Sequence, residues 1–415
     1  MRIYQLLTNL IERRLRIDAH YFVQGGFWLV SAQGVTIITS LISTVFLAHY
    51  LSENEFGIYR YIIGLAVFLA TLSLTGIGQA IFQAATKHLS GFYTIATTQT
   101  FIGSIPMVLA SLVGAAYYYF NDNLTLAVGC LLIGLLFPWS FLFQNIQAHI
   151  MGRPDFKRST YMQAIRATVI ATATIGTVLV TSNLLWLLVS YFASQAITAI
   201  IAHWWYRPSG EVTTDHTTTN QLLSFARHTT VRNIIVGISS RLDTIIVFQQ
   251  LGAASLATFA IATLIPDQIK GSLKSLVTLL IPKFTQNESL AATRAYLPAR
   301  SLQLGVLLII LTIGFILLVP VVIHIFFPKY TDAIIYAQLL ALGFPASIYQ
   351  IPFAMMQAHT SERALYNYHI STAVIQIILT IVGISLFGLL GAIVARIVTS
   401  YGQLLFAWAA VYWSE

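Results

Sequence analysis

Residues 302–323 read LQLGVLLIILTIGFILLVPVVI, a stretch without one charged side chain. Wound into a helix at 1.5 Å per residue, these 22 positions reach roughly 33 Å, the thickness of a bilayer's hydrocarbon core. Comparable stretches fill nearly all of the chain. Spans are expected near 24–50, 57–84, 94–119, 124–150, 161–181, 184–206, 229–251, 254–281, 300–324, 331–357, 366–387 and 389–412. Polar turns such as Asn121-Asp122-Asn123 and Thr181-Ser182-Asn183 separate antiparallel neighbours. The expected fold class is all-α: a polytopic membrane protein of 12 transmembrane helices in two six-helix lobes around a central cavity.

Composition supports that reading. Charged residues make up 9% of the 415, against about 25% in soluble globular proteins. Hydrophobic residues reach 57% and mean hydropathy is +0.77. No loop is long enough to be a soluble domain, so any chemistry has to be held inside the membrane. Cys130, the single cysteine, lies in an apolar run, cannot form an intrachain disulfide and says nothing about redox compartment. The formal charge of +8 would suggest nucleic acid in a soluble chain; in a membrane protein it reflects basic cytoplasmic loops.

Alternate loops carry those basic residues. One set holds Arg2, Arg13, Arg14, Arg16, Lys87, Arg153, Lys157, Arg158, Arg207, Arg227, Lys283, Arg294, Arg300 and Arg363; the other has little beyond Arg60 and Lys329. The asymmetry puts both termini in the cytoplasm and makes the number of spans even. Met1 to Phe22 lacks a cleavage site and reads as an interfacial amphipathic helix rather than a signal peptide. The longest polar connection, Arg207 to His228 with Thr213–Thr219 inside it, reads as a flexible cytoplasmic linker. It divides an N-terminal lobe, residues 1–206, from a C-terminal lobe, residues 229–415. Leu51–Tyr59 aligns faintly with Leu251–Phe259, each after the first helix of its lobe, as internal repeats of transporters do.

Several local patterns carry a family resemblance. Phe46–Tyr59 (FLAHYLSENEFGIY) resembles the first hairpin of the polysaccharide-biosynthesis lipid flippases. These are the Wzx-type members of the multidrug/oligosaccharidyl-lipid/polysaccharide exporter superfamily, which also holds the multidrug and toxin extrusion proteins. Leu74–Gly78, Ser240–Val247 with Leu251-Gly252, Phe259–Ala262, Pro282, Phe326–Tyr330 and Gly388–Ala392 are similar to that family too. The resemblance covers nearly the whole chain. Two positions depart from it: Pro328, where the family commonly has glycine, and Arg396, in a helix that is usually apolar there.

What the resemblance implies is movement of undecaprenyl-diphosphate-linked oligosaccharide from the inner to the outer leaflet of a bacterial cytoplasmic membrane. The end product would be O-antigen, capsule or exopolysaccharide. A cavity between lobes would shield glycan and diphosphate while the polyprenyl tail stays in lipid. A polysaccharide polymerase and a chain-length regulator are partners implied by the family alone, and no cofactor is implied.

Ionisable groups deep in a span cost roughly 2.5–3.5 kcal/mol each on insertion scales, which makes them candidates for function. The basic ones are Arg166, Arg232, Arg241, Lys270, Lys274 and Arg396; the acids are Asp243 and Asp267. Arg232 and Asp243, eleven residues apart, are expected on nearly one helical face, with Arg241 pointing roughly opposite. Asp267, Lys270 and Lys274 share a face just after the kinking Pro266. Arg232, Arg241, Lys270 and Lys274 are the candidate diphosphate-binding cations, because a diphosphate accepts charge-assisted hydrogen bonds. Asp243 and Asp267 are candidate proton- or cation-coupling carboxylates. Plainer structural roles stand beside these: Asp267 with Lys270 as a self-neutralising pair, and Lys274 and Arg166 as snorkelling side chains. Gln33, in a stripe with Thr36, Ser40 and Thr44, and Gln79 are polar candidates for sugar hydroxyls, though such stripes also serve helix packing. Trp204, Trp205 and Trp413 read as interfacial belt residues, and Pro320, Pro345 and Pro352 as helix bends.

Neither a P-loop nor a H-E-x-x-H metal pattern occurs, and no acid pair sits on an exposed scaffold. The chain therefore reads as a transporter and not an enzyme, with no metal and no catalytic residue. A cation-coupled multidrug exporter of the same superfamily is the alternative; a membrane glycosyltransferase or polymerase stands further off.

Overall fold

The computed structural model describes residues 19–89, 91–153, 155–206, 215–278, 290–359 and 362–413, and they are helical with short connections. The expected amphipathic helix at Met1 to Phe22 lies almost wholly outside the described residues. In chain order the helices are α1 Ala19–Tyr50, α2 Glu53–Ala70, α3 Ile77–Thr86, α4 Gly91–Gly103, α5 Ile105–Phe120, α6 Leu124–Gly152, α7 Phe156–Val180 and α8 Leu184–Trp205. They continue as α9 His216–Thr278, α10 Leu290–Phe326, α11 Ala333–Ala341, α12 Gln350–His359 and α13 Glu362–Trp413, with 3₁₀ turns at Pro328–Tyr330 and Pro345–Tyr349.

Among the described residues nine helical segments are long and apolar enough to cross a membrane. Two of them, His216–Leu273 with 58 residues and Tyr368–Ala409 with 42, are too long for one crossing, and each breaks at a glycine. Gly252 adopts φ 85° and Gly388 φ 58°, conformations that a side chain's Cβ disfavours. At Gly388 the chain reverses: a Cβ built on Gly391 would lie 1.7 Å from the carbonyl oxygen of Gly383, a contact that one continuous helix could not bring about. Ser385 Oγ donates to Gln250 Oε1 at 3.4 Å, so the two glycine turns are neighbours.

Three expected spans are interrupted, the third only at Ser104 between α4 and α5. The second stops at Ala70 and resumes at Ile77, and the tenth loses its α-helix between α11 and the 3₁₀ turn that Pro345 opens. Serine, threonine and glycine at 73–76, and Gly343 with Pro345, give the backbone alternatives to the helical ladder there. Pro352, near the start of α12, interrupts nothing, as its missing N–H is not needed in a first turn. The polar stretch 216–228 is a correction: expected within a flexible linker, it forms the first turns of α9. Asp215 caps it by accepting from Thr218 N at 3.0 Å, and the Thr218 bonds hold that carboxyl below its usual range. Leu222 and Ala226 then bury against the N-terminal helices.

The chain forms two compact units. Unit one comprises Met1–Phe46 and Leu72–Thr230; unit two comprises Leu47–Thr71 and Val231–Glu415. In unit one α6 packs against α8, α5 and α3, around a core that includes Ile81, Phe92, Ile146 and Ala199. In unit two α2 opens with a capping box, Ser52 with Glu55, and Tyr61 stacks on Phe248 at 3.8 Å. Lys329 Nζ donates to the carbonyls of His49 at 2.7 Å and Leu51 at 3.2 Å, placing a cation at the negative end of α1. Leu302, Ile310, Leu317 and Leu318 of α10 are each more than 60% exposed, as befits a helix face whose solvent is hydrocarbon.

Candidate functional site

The charges of unit two converge where three helical limbs meet. Asp243 sits nine residues before Gly252 and Arg396 eight after Gly388. With the two turns adjacent, both residues lie about 12–14 Å down their limbs, level with each other. Arg396 Nε donates to Asp243 Oδ2 at 2.6 Å and Nη2 lies 2.5 Å from the same oxygen. Its Nη1 reaches Asp267 at 3.1 Å to Oδ1 and 3.3 Å to Oδ2. The guanidinium carbon stands 5.0 Å from the Phe259 ring centroid, a cation–π contact on the same limb as Asp267. Asp243 is 2% exposed, and its other oxygen accepts from Thr244 N at 2.6 Å. Asp267, at 53%, is open. One guanidinium thus contacts both carboxylates, one positive charge against two negative, with Asp243 the buried and fully satisfied partner.

Lys270 does not join that pairing. Its ammonium donates to Ser400 Oγ at 3.3 Å, and Ser400 donates on to the Arg396 carbonyl at 2.9 Å. A Cβ on Gly343 would lie 3.3 Å from Lys270 Nζ, so this cation rests against the interrupted end of α11. Tyr401 Oη satisfies the Leu342 carbonyl of that interruption at 2.9 Å. The alternative of a self-neutralising i,i+3 pair is not met by a direct contact: Asp267 turns to Arg396 and acts on Lys270 only at longer range.

Arg232 and Arg241 are both exposed, and among the described residues neither has a carboxylate partner. Arg232 and Asp243 lie on one unbroken stretch of α9, yet Asp243 is buried and Arg232 is exposed. Arg232 follows directly on the point where α9 passes from unit one, ending at Thr230, to unit two, beginning at Val231. Lys274's side chain lies outside the described ones. Gln33 is half-buried on α1 and Gln79 exposed on α3. Of Gln33's stripe, Thr36 and Thr44 spend their hydroxyls on their own helix, donating to the carbonyls of Ala32 and Ser40. Arg166 lies over the Phe143 ring at 4.4 Å and donates to Gln195 Oε1 at 3.0 Å.

Two features of the site are not apparent from the sequence. Arg396 stands there among the intramembrane cations and as a family departure but is given no role, although two intramembrane acids demand a counter-charge and no other arginine shares the helix after Gly388. The interruption of the second span falls inside a stretch whose hydropathy suggests continuous helix. There Ser73, Thr75, Thr100, Gln144 and Asn145 help line a cavity of about 40 Å³ in unit one. Asn145 Nδ2 donates to Thr100 Oγ1 at 2.9 Å, while the buried hydroxyls of Ser73 and Thr75 have no protein partner. The cavity lining is uncharged, with Leu74, Ile77 and Phe141 beside the polar groups. Among the described residues no three His, Cys, Asp or Glu side chains converge as a metal site would require.

Comparison with known proteins agrees with this architecture. No curated protein matches the sequence. The chain is similar in fold to the lipid II flippase MurJ in an inward closed conformation, with a TM-score of 0.68 at 14% identity over 93% of this chain and 87% of that one. It is similar also to a MOP superfamily transporter from Pyrococcus furiosus described as having a binding pocket of reversed polarity (TM-score 0.63, 11% identity, 94% and 95% covered). An outward-facing multidrug resistance transporter of the MATE family matches with a TM-score of 0.59 at 11% identity, covering 94% of this chain and 95% of that one. The polysaccharide biosynthesis protein family model matches residues 22–288, more than half of the chain. A multi-pass helical membrane protein with the exporter-superfamily fold, this chain belongs to the polysaccharide biosynthesis protein family.

Proposed function

We propose that this protein moves undecaprenyl-diphosphate-linked oligosaccharide from the inner to the outer leaflet of a bacterial cytoplasmic membrane, for assembly of a surface polysaccharide such as O-antigen, capsule or exopolysaccharide. In this reading twelve spans form two six-helix lobes, both termini are cytoplasmic, and the lobes open alternately to the two sides. The supporting observation is an imbalance of charge. Arg396 contacts both carboxylates of its cluster and Lys270 lies close enough to Asp267 to feel its charge, while Arg232 and Arg241 have no carboxylate within ion-pair distance among the described residues. Cations left uncompensated in a membrane segment match a diphosphate, which accepts several charge-assisted hydrogen bonds at once. A cation-coupled drug exporter would need a carboxylate free to bind its ion, and the Arg396 pairing argues against that alternative.

The test is protein-dependent translocation in proteoliposomes, scored by access of a membrane-impermeant reagent to the glycan. Arg232→Ala and Arg241→Ala should each slow translocation, by about 10-fold for one charge-assisted contact of roughly 1.5 kcal/mol. Unchanged rates in both variants would detach the cations from the cargo.

A further inference from the structure

Two acids within a membrane segment normally signal an exchangeable ion, a proton or a metal cation that binds and leaves as transport proceeds. Here the place of such an ion is taken. Asp243 is 2% exposed, and the cation against its Oδ2 is a side chain covalently held by the opposite limb. The same guanidinium extends to Asp267, so both acids that α9 contributes have one shared partner. Three further observations hold it there. Phe259 covers the guanidinium face, the hydroxyl and amide of Thr244 occupy Asp243's other oxygen, and Ser400 ties the Arg396 backbone to Lys270. An ion at Asp243 would have to displace the guanidinium contact and leave that charge without its buried partner, which is strongly unfavourable.

We infer that Arg396 is a tethered substitute for a coupling cation: the Asp243–Asp267 pair takes up neither sodium nor a proton in the intact protein, and loss of Arg396 would turn the pair into an exchangeable-cation site. The charged groups facing the pair are those of α9 and α13, namely Asp243, Asp267, Lys270 and Arg396, with Arg241 two residues along α9 on an exposed face. Of the other elements packed here, α2 places Gly64 beside Thr244 with Arg60 one turn before it, and Gly343 lies beside Lys270. Occupancy of the pair by Arg396 does not depend on which cargo crosses.

It is tested on the full chain in detergent or nanodiscs without any glycan, by radioactive sodium binding and by melting temperature in sodium against choline at several pH values. The wild type should bind no sodium in a manner sensitive to Asp243→Asn, and its melting temperature should be the same in the two salts. Arg396→Ala should acquire sodium binding or a proton-dependent melting temperature, either of which Asp243→Asn added to it removes. Arg396→Lys keeps a tethered charge and should remain insensitive to both ions. Sodium binding by the wild type that Asp243→Asn abolishes would overturn the inference, and so would a folded Arg396→Ala protein indifferent to sodium and pH. Should Arg396→Ala fail to fold, the wild type and Arg396→Lys still decide: ion sensitivity of Arg396→Lys equal to that of an Asp243-dependent wild type refutes the tether. Failure of the flippase reading would show instead in the translocation assay, which these measurements do not use.

Discussion

One substitution made at two positions of α13 should act in opposite directions. At Gly391 an added Cβ meets Gly383 O at 1.7 Å, its carbonyl carbon at 2.2 Å and its Cα at 2.9 Å, all backbone atoms that cannot rotate aside. Restoring ordinary contact of 3.4 Å means separating the two limbs by about 1.7 Å (3.4 − 1.7). Overpacking of this kind costs about 3 kcal/mol, the upper end of its usual range, against at most 1 kcal/mol returned by helix propensity. Gly391→Ala is therefore expected to destabilise by roughly 2 kcal/mol or more, lowering Tm by about 4–8 °C for a unit of this size. The same shift would carry Arg396, five residues on, away from Asp243. At Gly402 nothing lies within 4 Å of the added carbon, so Gly402→Ala should be neutral or raise Tm by up to about 4 °C. Size-exclusion thermostability of the purified variants measures both. Equal Tm values for Gly391→Ala and the wild type would refute the reversal at Gly388 and the close approach built on it.

Asp243→Asn and Asp267→Asn should differ sharply, since one acid is buried and the other 53% exposed. Removing the buried partner is expected to cost about 3 kcal/mol or more, the exposed one at most about 1 kcal/mol, read as Tm in detergent. Asp243→Asn combined with Arg396→Met should recover part of the loss, and strict additivity in that cycle would mean the two do not interact. Lys329→Met removes the cation from the carbonyls of His49 and Leu51 and should lower stability by about 0.3–1 kcal/mol, an effect that weakens in high salt for the wild type but not for the variant. Asp215→Ala should fray the start of α9, seen as faster hydrogen exchange at Thr217–Thr219. Because that carboxyl is held below its usual range, the cap persists above the ordinary aspartate pKa and is lost as pH falls through the lower folded value.

The spans are legible in the sequence because lipid leaves the backbone no solvent, so each crossing must be a long apolar helix. The turns at Gly252 and Gly388 are legible for the same reason: expected spans end at 251 and 387 and begin again at 254 and 389, and glycine fills the gap in each case. The interruptions at 73–76 and at Gly343 are hidden by the apolar residues around them, since hydropathy averages over a break that is satisfied inside the protein. Asp215's cap is masked by threonines whose composition suggests a linker. At the site, every charge is visible in the sequence but its partner is not. Arg396 meets Asp243 across 153 positions of chain, and only the neighbouring glycine turns bring them level. The different burial of Arg232 and Asp243 is not legible, because helical periodicity gives a shared face and not what packs against each turn of it.

Translocation itself is the most direct test. Purified protein in liposomes carrying undecaprenyl-diphosphate-linked oligosaccharide should deliver the glycan to the opposite leaflet, at a rate unaffected by collapsing sodium and proton gradients and reduced by Arg241→Ala. Folded protein that moves none of several such glycans, yet exports cationic drugs in exchange for sodium or protons, would contradict the flippase reading.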